Sequence, residues 1–550
     1  MSSPAAAPFL ESCFRGYDFS AARGPGMDAK EFLLGELERI WAAVTAENFG
    51  GGAESGRQMG TLAAQLEHIG LLPPDTELIS YADISLGARI CRDLIGLASA
   101  AWGGPPPFHP GPIVGWSESL PDSALYQYLR ACFEFEAGQP AAALSFVERA
   151  LAINNVCTGS QKLLERIARA HPDLPGLPAG LAHAAEYLRD RTCPVPFAYL
   201  ATGWGGDTFL CTCPAWLPYQ SGNIHQASSA EDVWNSPAAQ KIRASILDGS
   251  FKYCSRTLCS FIAGRTLPKA DAPLTGFYQD LALKPFMDTG PKSVEFSHDP
   301  SCNLACPSCR TELRMAKAAE TDRLATATRK VLLPLLAQTK GGVYISGGGE
   351  PFASRHFRDL LRRLNRREFP GLSLRLMTNA QLVGEEMWNE FEHLHTLFEL
   401  VSVSVDAASR QVYETLRPPG KWDRLVAGIE FLAGLRSDGR IPCLRLNFVV
   451  QRANLHEVHE FVDMARRWGV DYVWLQKMAN YGSFSAEDFI ANDVTQPGHP
   501  DHRLFQEIFS DPSLIDPFVD AALFNGTVPG IFFPDRHRTQ ATPAGALRVS

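Results

Sequence analysis

The chain has 550 residues, a length that accommodates roughly three or four domains. Hydrophobic residues make up 45% of it and charged residues 20%, as in ordinary globular proteins. The formal net charge of -9 provides no basic surface for nucleic acid or for an anionic membrane, so neither is expected as a partner.

The cysteine content points to metal or redox chemistry. No apolar run reaches the ~18 residues that a membrane-spanning helix needs, and the N-terminal sequence lacks the basic region and apolar core of a secretory signal. A cytoplasmic location is therefore expected. In that compartment, 13 cysteines favour metal binding or redox chemistry over disulfide bonds.

Residues 1–190 are predicted to form an all-α N-terminal domain. Residues 124–153 resemble one tetratricopeptide-type helical hairpin, but no second copy follows at the period of about 34 residues that such repeats need. A plain helical packing domain is therefore favoured over a partner-binding solenoid. Other stretches with apolar residues at helical spacing are 30–46, 62–69 and 84–97.

Residues 191–265 contain two pairs of cysteines. Cys211 and Cys213 follow a short predicted strand, and Cys254 and Cys259 follow a helix-bearing insert. Two such pairs can close on one metal core, and four thiolates suit either zinc or an iron–sulfur cluster. Cys193 is a candidate fifth ligand.

A second cysteine group has the spacing Cys-x3-Cys-x2-Cys, at Cys302, Cys306 and Cys309. Thiolates are soft ligands that select iron–sulfur clusters, zinc or copper. A structural zinc site closes with four ligands, whereas a cube of four irons bound by three cysteines leaves one iron open. The count of three therefore favours a cluster with an open iron over a zinc knuckle.

Residues 290–480 alternate strands and helices in six units, which predicts a parallel α/β architecture with outer helices. The predicted strands are 294–297, 342–346, 372–377, 400–405, 444–450 and 472–475, and the predicted helices are 326–338, 357–367, 385–398, 422–435 and 455–468. The cysteine group and three polar segments follow the first four strands, where α/β barrels place their sites. Residues 481–550 contain no cysteine and are expected to be a C-terminal extension.

The cysteine loop resembles the signature of the radical S-adenosylmethionine (radical SAM) enzymes. The resemblance implies a partial (β/α)6 TIM-like barrel core and a [4Fe–4S] cluster held by Cys302, Cys306 and Cys309. In that family the open iron chelates SAM, whose reductive cleavage gives a 5′-deoxyadenosyl radical that abstracts a hydrogen from a substrate C–H bond. A zinc knuckle predicts nothing about the other strand ends, which match the family as well.

The same resemblance assigns SAM contacts. The run Gly347-Gly348-Gly349-Glu350 resembles the family's GGE motif, in which a backbone carbonyl or the Glu350 carboxylate would receive the SAM amino group. Asp406, with Ser404 beside it, matches the position that hydrogen-bonds the SAM ribose.

Three further positions complete this assignment. Asn379 stands at the family's Thr-Asn-Gly position, although Ala380 replaces the usual glycine. Arg417 would either pair with the SAM carboxylate through its planar fork or lie on the surface. Asn447 on the fifth strand is a weaker candidate.

Residues 191–265 resemble the auxiliary-cluster modules of radical SAM enzymes, SPASM and the shorter twitch domain. The resemblance rests on the turn Gly222-Asn223-Ile224, the helix start Trp234-Asn235-Ser236 and the terminal cysteine pair. It implies a small Cys-rich α+β module with one auxiliary [4Fe–4S] cluster for electron transfer or scaffolding. In most relatives this module follows the core, whereas here it precedes it.

The substrate stays open between two classes. Relatives with auxiliary modules often modify ribosomally made peptides, and others oxidise or epimerise small molecules such as sugars. A peptide is slightly favoured, and a flavodoxin or ferredoxin would supply electrons. The alternative from another class is a non-catalytic interaction protein whose metal sites only staple the fold.

Overall fold

The computed structural model describes residues 127–521 except 129, 132–133, 136–137, 154–157, 179, 340, 346–347, 480–482 and 485. The predicted helices before residue 127 and the end of the C-terminal extension lie outside the described residues. The chain divides into two compact units. The first unit comprises Met1–Glu186, Pro214–Gln220 and Tyr253–Cys259, and the second comprises Tyr187–Cys213, Ser221–Lys252 and Ser260–Ser550.

The described part of the first unit is built on two helices, α1 (Pro140–Ile153) and α2 (Thr158–Ala170). Pro140 begins α1, a position where its missing N–H costs no hydrogen bond. Val147 and Ile167 are fully buried where the apolar stripes of the two helices meet. Helix α1 forms the second half of the predicted hairpin 124–153. Only part of the first half lies within the described residues.

The second unit is organised on one ten-stranded sheet in the order β10-β9-β8-β7-β6-β5-β4-β1-β2-β3. Its strands are β1 (Tyr199–Thr202), β2 (Asp207–Phe209), β3 (Gly222–Asn223), β4 (Ser293–Phe296), β5 (Gly342–Ile345), β6 (Ser373–Thr378), β7 (Phe398–Ser404), β8 (Leu444–Val450), β9 (Tyr472–Lys477) and β10 (Val519–Asp520). Strands β4 to β9 lie side by side in chain order and are all parallel. The predicted α/β class with six parallel units is therefore confirmed.

The other helices fill the connections. They are α3 (Ala184–Leu188), α4 (Glu231–Trp234), α5 (Pro237–Leu247), α6 (Ser260–Ala263), α7 (Ala318–Ala327), α8 (Leu333–Gln338), α9 (Arg355–Arg363), α10 (Glu385–Asn389), α11 (Arg410–Leu416), α12 (Trp422–Ser437), α13 (Val458–Arg467), α14 (Ala486–Asn492) and α15 (His502–Phe509). Among the described helices, none combines the length and the apolar character needed to cross a lipid bilayer.

Two of the predicted helices are divided into shorter elements. The helix predicted at 326–338 begins earlier, with α7, and widens into a π-turn at Thr328–Leu332 before α8. Pro334 explains the irregularity, because it has no N–H to donate to the preceding turn. The helix predicted at 385–398 consists of α10 followed by the 3-10 helix Glu392–Leu397.

The two faces of the sheet differ in polarity. Phe448 of β8 packs against Phe461 of α13 with ring centroids 4.7 Å apart, so helices cover the apolar face. On the opposite face, Arg445 donates from Nε to Ser402 Oγ at 2.9 Å and from Nη2 to Tyr344 Oη at 3.3 Å. The two-residue period of the strands thus separates a helix-covered face from a hydrogen-bonded polar face.

The strands of the segment predicted to be an auxiliary module extend the core sheet. Strand β1 pairs in parallel with β4, from Tyr199 opposite Ser293 to Thr202 opposite Phe296. Strands β2 and β3 then continue the sheet antiparallel. Because β4 would otherwise expose an unpaired edge, β1 satisfies backbone groups that the core alone leaves open.

A buried pair of histidines joins this extension to the core. His298, just after β4, places its Nε2 2.9 Å from Nε2 of His356 on α9 and its Nδ1 2.8 Å from Oγ1 of Thr202 on β1. Burial lowers the pKa of His356 to about 4 and that of His298 well below its ordinary value. Both rings are therefore neutral, and the Nε2–H of one ring donates a hydrogen bond to the Nε2 of the other.

We expect the thermal unfolding midpoint to fall as the pH is lowered from about 7 to about 5. The unfolded chain takes up protons on histidine below about pH 6.5 while the folded pair stays neutral, so acid favours unfolding. His356→Gln should reduce this fall, because glutamine hydrogen-bonds without titrating. Calorimetry at several pH values measures the effect, with the exposed His456→Gln as the matched control. An equal fall in His356→Gln and the unmodified protein would contradict the prediction.

Candidate active site

The three cysteines of the predicted cluster lie on a loop between β4 and α7. Cys302 N–H donates to the carbonyl of Arg314 at 2.8 Å, which closes the base of the loop. Cys309 N–H donates to the carbonyl of Cys306 at 2.8 Å, and this turn brings their side chains near one another. Cys302 and Cys306 are buried, Cys309 is half-buried, and all three are free thiols.

Polar donors from several segments approach the three sulfurs. The donor–sulfur distances are 3.4 Å for Leu304 N to Cys302, 3.8 Å for Asn379 Nδ2 to Cys302, 3.4 Å for Arg310 Nη2 to Cys309 and 4.0 Å for Arg417 Nη1 to Cys306. Burial raises the pKa of Cys302 to about 11, so a bound metal would have to displace its proton. The two arginines and the amide would then stabilise the thiolates.

The glycine run packs tightly against this loop. Ser346 and Gly347 lie outside the described residues. A Cβ on Gly348 would lie 2.3 Å from Trp204 Nε1, and one on Gly349 would lie 2.5 Å from the carbonyl of Asp299. These two glycines are therefore required by contacts within the chain.

The buried carboxylate of Glu350 is hydrogen-bonded to neighbouring groups of the protein. Its carboxylate accepts from Thr378 Oγ1 at 2.9 Å, from Asn379 N at 2.6 Å and from Phe352 N at 3.2 Å, while its own N–H donates to Ser301 O at 2.8 Å. Burial raises its pKa to about 7. Glu350 thus joins the ends of β5 and β6 through its carboxylate, and it contacts the cysteine loop through its backbone N–H.

The side chain of Asn379 reaches the cysteine loop. Its Nδ2 donates to Asn303 Oδ1 at 2.9 Å as well as approaching Cys302. Ala380 has φ of 58°, in the left-handed region that glycine occupies most easily. The chain therefore keeps the backbone shape of the usual glycine at this position, despite carrying alanine.

Asp406 and Arg417 form a buried pair beside the loop. Arg417 Nη2 donates to Asp406 Oδ2 at 2.5 Å, and Val449 N–H donates to Asp406 Oδ1 at 2.7 Å. Only 12% of the Arg417 side chain is exposed, which excludes the surface alternative. Its Nε is buried and has no hydrogen-bond partner among the described residues, so it offers an unused donor.

The two remaining candidates differ from this pair. Ser404 ends β7 and stays half-buried. The Nδ2 of Asn447 donates to Ser402 Oγ at 2.8 Å on the neighbouring strand. Asn447 is therefore engaged within the polar face of the sheet.

The donor set fits an iron–sulfur cluster. Within the described residues, no three His, Cys, Asp or Glu side chains converge as ligands of one metal ion. A cluster does not require such convergence, because each thiolate binds its own iron. Buried sulfurs approached by arginine and amide donors suit a group that carries several negative charges.

The cysteines of the predicted auxiliary site fall in both compact units. Cys211 is buried and Cys213 half-buried in the second unit, where burial and the nearby Cys211 raise the pKa of Cys193 to about 12. Cys254 and Cys259 are buried in the first unit. Cys193 itself is half-buried and remains a candidate fifth ligand.

Two sequence families match the chain. Residues 296–465 match the Radical SAM superfamily, and residues 193–260 match SPASM, an iron-sulfur cluster-binding domain. Residues 296–465 thus carry a radical SAM domain, and residues 193–260 carry a SPASM domain. The SPASM domain stands before the radical SAM domain, as the sequence predicted.

Known relatives cover only part of the molecule. A "Probable GTP 3',8-cyclase" of Saccharolobus solfataricus is 26% identical over 186 residues, which are 33% of this chain and 55% of that protein. An "AdoMet-dependent heme synthase" of Oleidesulfovibrio alaskensis is 29% identical over 160 residues, 28% of this chain and 37% of that protein. This chain thus spans about half the length of the first of these relatives, and less of the second.

Solved structures with a partial likeness include Streptococcus suis SuiB bound to the precursor peptide SuiA and anSMEcpe with bound AdoMet. SuiB is 19% identical, with 41% of this chain and 46% of that chain covered and a TM-score of 0.29. The native anSMEcpe structure is 18% identical, with 34% and 52% covered and a TM-score of 0.27.

Sequence reasoning missed two residues at this site. Arg310 follows the last cysteine directly and contacts its sulfur, and that adjacency was a usable signal. Trp204 donates from Nε1 to the carbonyl of Gly348 at 3.0 Å, across a separation of 144 residues. No sequence pattern foretells so distant a contact.

Removal of the Glu350 carboxylate should destabilise the protein. Glu350→Ala leaves two buried N–H groups and one buried hydroxyl without their acceptor, which costs roughly 2–4 kcal/mol of unfolding free energy. Urea denaturation followed by tryptophan fluorescence measures the loss. Glu350→Gln should lose less because it keeps one oxygen, and the exposed Glu368→Ala should lose almost nothing. Unchanged stability in Glu350→Ala would contradict the role given to this carboxylate.

Proposed function

We propose that this chain reductively cleaves SAM and uses the product radical to abstract a hydrogen from a substrate C–H bond. When bound at the three cysteines, a [4Fe–4S] cluster would supply the electron that splits the SAM sulfonium. The observation that carries the proposal is that the polar segments following β5, β6 and β7 all contact the cysteine loop. The contacts are Glu350 to Ser301, Asn379 to Cys302, and Arg417 to Cys306.

The residues around the loop offer a separate hydrogen-bonding group for each polar part of SAM. The guanidinium of Arg417 lies beside Cys306 through its Nη1. Its Nε–H, which has no partner among the described residues, suits the SAM carboxylate. Asp406 accepts two hydrogen bonds from the protein, and its remaining lone pairs suit the ribose hydroxyls. A backbone carbonyl of the glycine run would receive the amino group.

SAM cleavage tests this proposal directly. Anaerobically reconstituted protein, with SAM and a strong reductant, should form 5′-deoxyadenosine, and Cys302→Ala should abolish it because the cluster loses a ligand. Cys443→Ala is the matched control, since Cys443 is a half-buried free thiol outside both cysteine groups. The proposal is lost if Cys302→Ala forms as much 5′-deoxyadenosine as the Cys443→Ala control.

We propose further that the SPASM module holds one auxiliary [4Fe–4S] cluster through Cys211, Cys213, Cys254 and Cys259. The triple variant Cys302→Ala, Cys306→Ala, Cys309→Ala should then retain about four irons and four sulfides per chain. Iron, sulfide and zinc analysis decides the matter. Zinc in place of iron would support the metal-stapled alternative for this module.

A peptide is the substrate class that we propose. The support is the SPASM module, because the family members that carry such modules often act on ribosomally made peptides. A small molecule is the second candidate, favoured by the relatives whose names specify GTP cyclisation and heme synthesis. The two classes predict different binding partners for the same SAM-cleaving centre.

Deuterium transfer distinguishes the two classes. Incubation with peptides encoded beside the gene, prepared with deuterium at backbone and side-chain carbons, should move deuterium into 5′-deoxyadenosine. Transfer from deuterated GTP or a porphyrin precursor, with none from any peptide, would exclude the peptide proposal. The Cys302→Ala variant controls for transfer that does not depend on the cluster.

A further inference from the structure

Arg310 is held in one position by three acceptors. Its Nη1 donates to the carbonyl of Pro300 at 2.6 Å, and its Nη2 donates to the carbonyl of Gly348 at 2.7 Å. The same Nη2 lies 3.4 Å from the sulfur of Cys309. The guanidinium therefore bridges the two segments that flank the predicted cluster and points one N–H at a ligand sulfur.

Trp204 of the SPASM module completes this arrangement. Its ring centroid lies 5.3 Å from Cζ of Arg310, within the range of a cation–π contact. Its Nε1–H donates to the same carbonyl of Gly348 that Arg310 uses. The indole thus contacts both the arginine and the arginine's acceptor.

The turn between β1 and β2 fixes Trp204 in place. Gly203 N–H donates to the carbonyl of Asp207 at 2.7 Å, and Gly205 and Gly206 take the left-handed φ values of 77° and 88°. A Cβ on Gly206 would lie 2.6 Å from Cδ2 of His225, so this conformation of the turn requires glycine here. Because β1 pairs with β4, the turn sits at the end of β4 where the cysteine loop begins.

The charge on Arg310 is not neutralised in the way that the charge on Arg417 is. Arg417 forms an ion pair with Asp406 at 2.5 Å. In the part of the chain that the structure describes, no carboxylate pairs with Arg310. Arg310 therefore presents a net positive charge to the sulfur of Cys309, whereas the Arg417–Asp406 pair presents little.

We propose that Arg310 raises the reduction potential of the catalytic cluster and that Trp204 of the SPASM module is the positioning residue that holds it there. The inference rests on the proposed function, because it assumes a cluster at Cys302, Cys306 and Cys309. One-electron reduction adds a negative charge to the cluster. A fixed cation with an N–H on a ligand sulfur stabilises that added charge more than it stabilises the oxidised state.

The test is a redox titration of the full-length protein with its clusters loaded, followed by electron paramagnetic resonance. The catalytic cluster is recognised by the change of its signal on addition of SAM. Arg310→Gln removes the charge and should shift the reduction equilibrium at least about tenfold toward the oxidised state, which is about 59 mV for one electron. Arg310→Lys keeps the charge and should shift less.

Trp204→Phe tests the positioning role. Phenylalanine keeps an aromatic ring but loses the N–H, so the potential should fall by an amount between those of the two arginine variants. The exposed Arg366→Gln is the control for loss of one positive charge. If Arg310→Gln does not hold its cluster, the shifts of the reduction potential in Arg310→Lys and Trp204→Phe test the electrostatic role instead.

Two results would overturn the inference. An unchanged potential in cluster-loaded Arg310→Gln would remove the electrostatic role. If that variant holds no cluster, unchanged potentials in both Arg310→Lys and Trp204→Phe would remove it. A Trp204→Phe variant that melts at lower temperature with an unchanged potential would leave Trp204 with a structural role only. If the unmodified protein shows no SAM-responsive cluster signal, the proposed function itself fails, and this outcome is distinct from both.

Discussion

The cysteine loop can hold concentrated negative charge only because the surrounding chain supplies donors to it. Three thiolates removed from water are costly unless hydrogen bonds and opposite charge compensate them. Here the compensation comes from Arg310, Arg417 and Asn379, whose nitrogen atoms lie 3.4–4.0 Å from the sulfurs. These residues belong to different connections of the sheet, so the site exists only once the parallel strands are assembled.

The sheet explains how such distant residues meet. In a parallel sheet every carboxyl end lies at the same edge, so each connection that leaves a strand passes the same region. Glu350 then locks two of these connections together with hydrogen bonds to Thr378 and Asn379. The carboxylate stabilises the positions of the segments proposed to bind SAM through hydrogen bonds within the protein.

Much of this arrangement could be predicted, because the periodicity of the strands and the cysteine spacing are local properties. Strand β8 has the predicted bounds, and the cysteine loop follows β4 as expected. Side-chain partners were less accessible, since they depend on the register between strands. Asn447 lies beside Ser404 in the β7–β8 register and bonds Ser402, a pairing that no pattern within one strand reveals.

Arg417 shows the same limit. Its position after α11 left burial and exposure equally reasonable, and only the placement of Asp406 decides in favour of burial. Trp204 lies further beyond sequence reasoning, because its contact with Gly348 depends on β1 joining the sheet at β4. Long-range strand pairing of that kind is fixed by the whole fold.

The unusual order of the two domains has a physical consequence at this point. A module that follows the core in the chain would enter near β9, at the edge of the sheet that β10 occupies here. A module that precedes the core can instead place its first strand against β4, the strand that leads into the cysteine loop. That edge gives Trp204 access to the carbonyl of Gly348 and to the guanidinium of Arg310. The upstream position of the SPASM segment thus brings it into direct contact with residues around the proposed cluster site, and this contact does not depend on any electron passed between clusters.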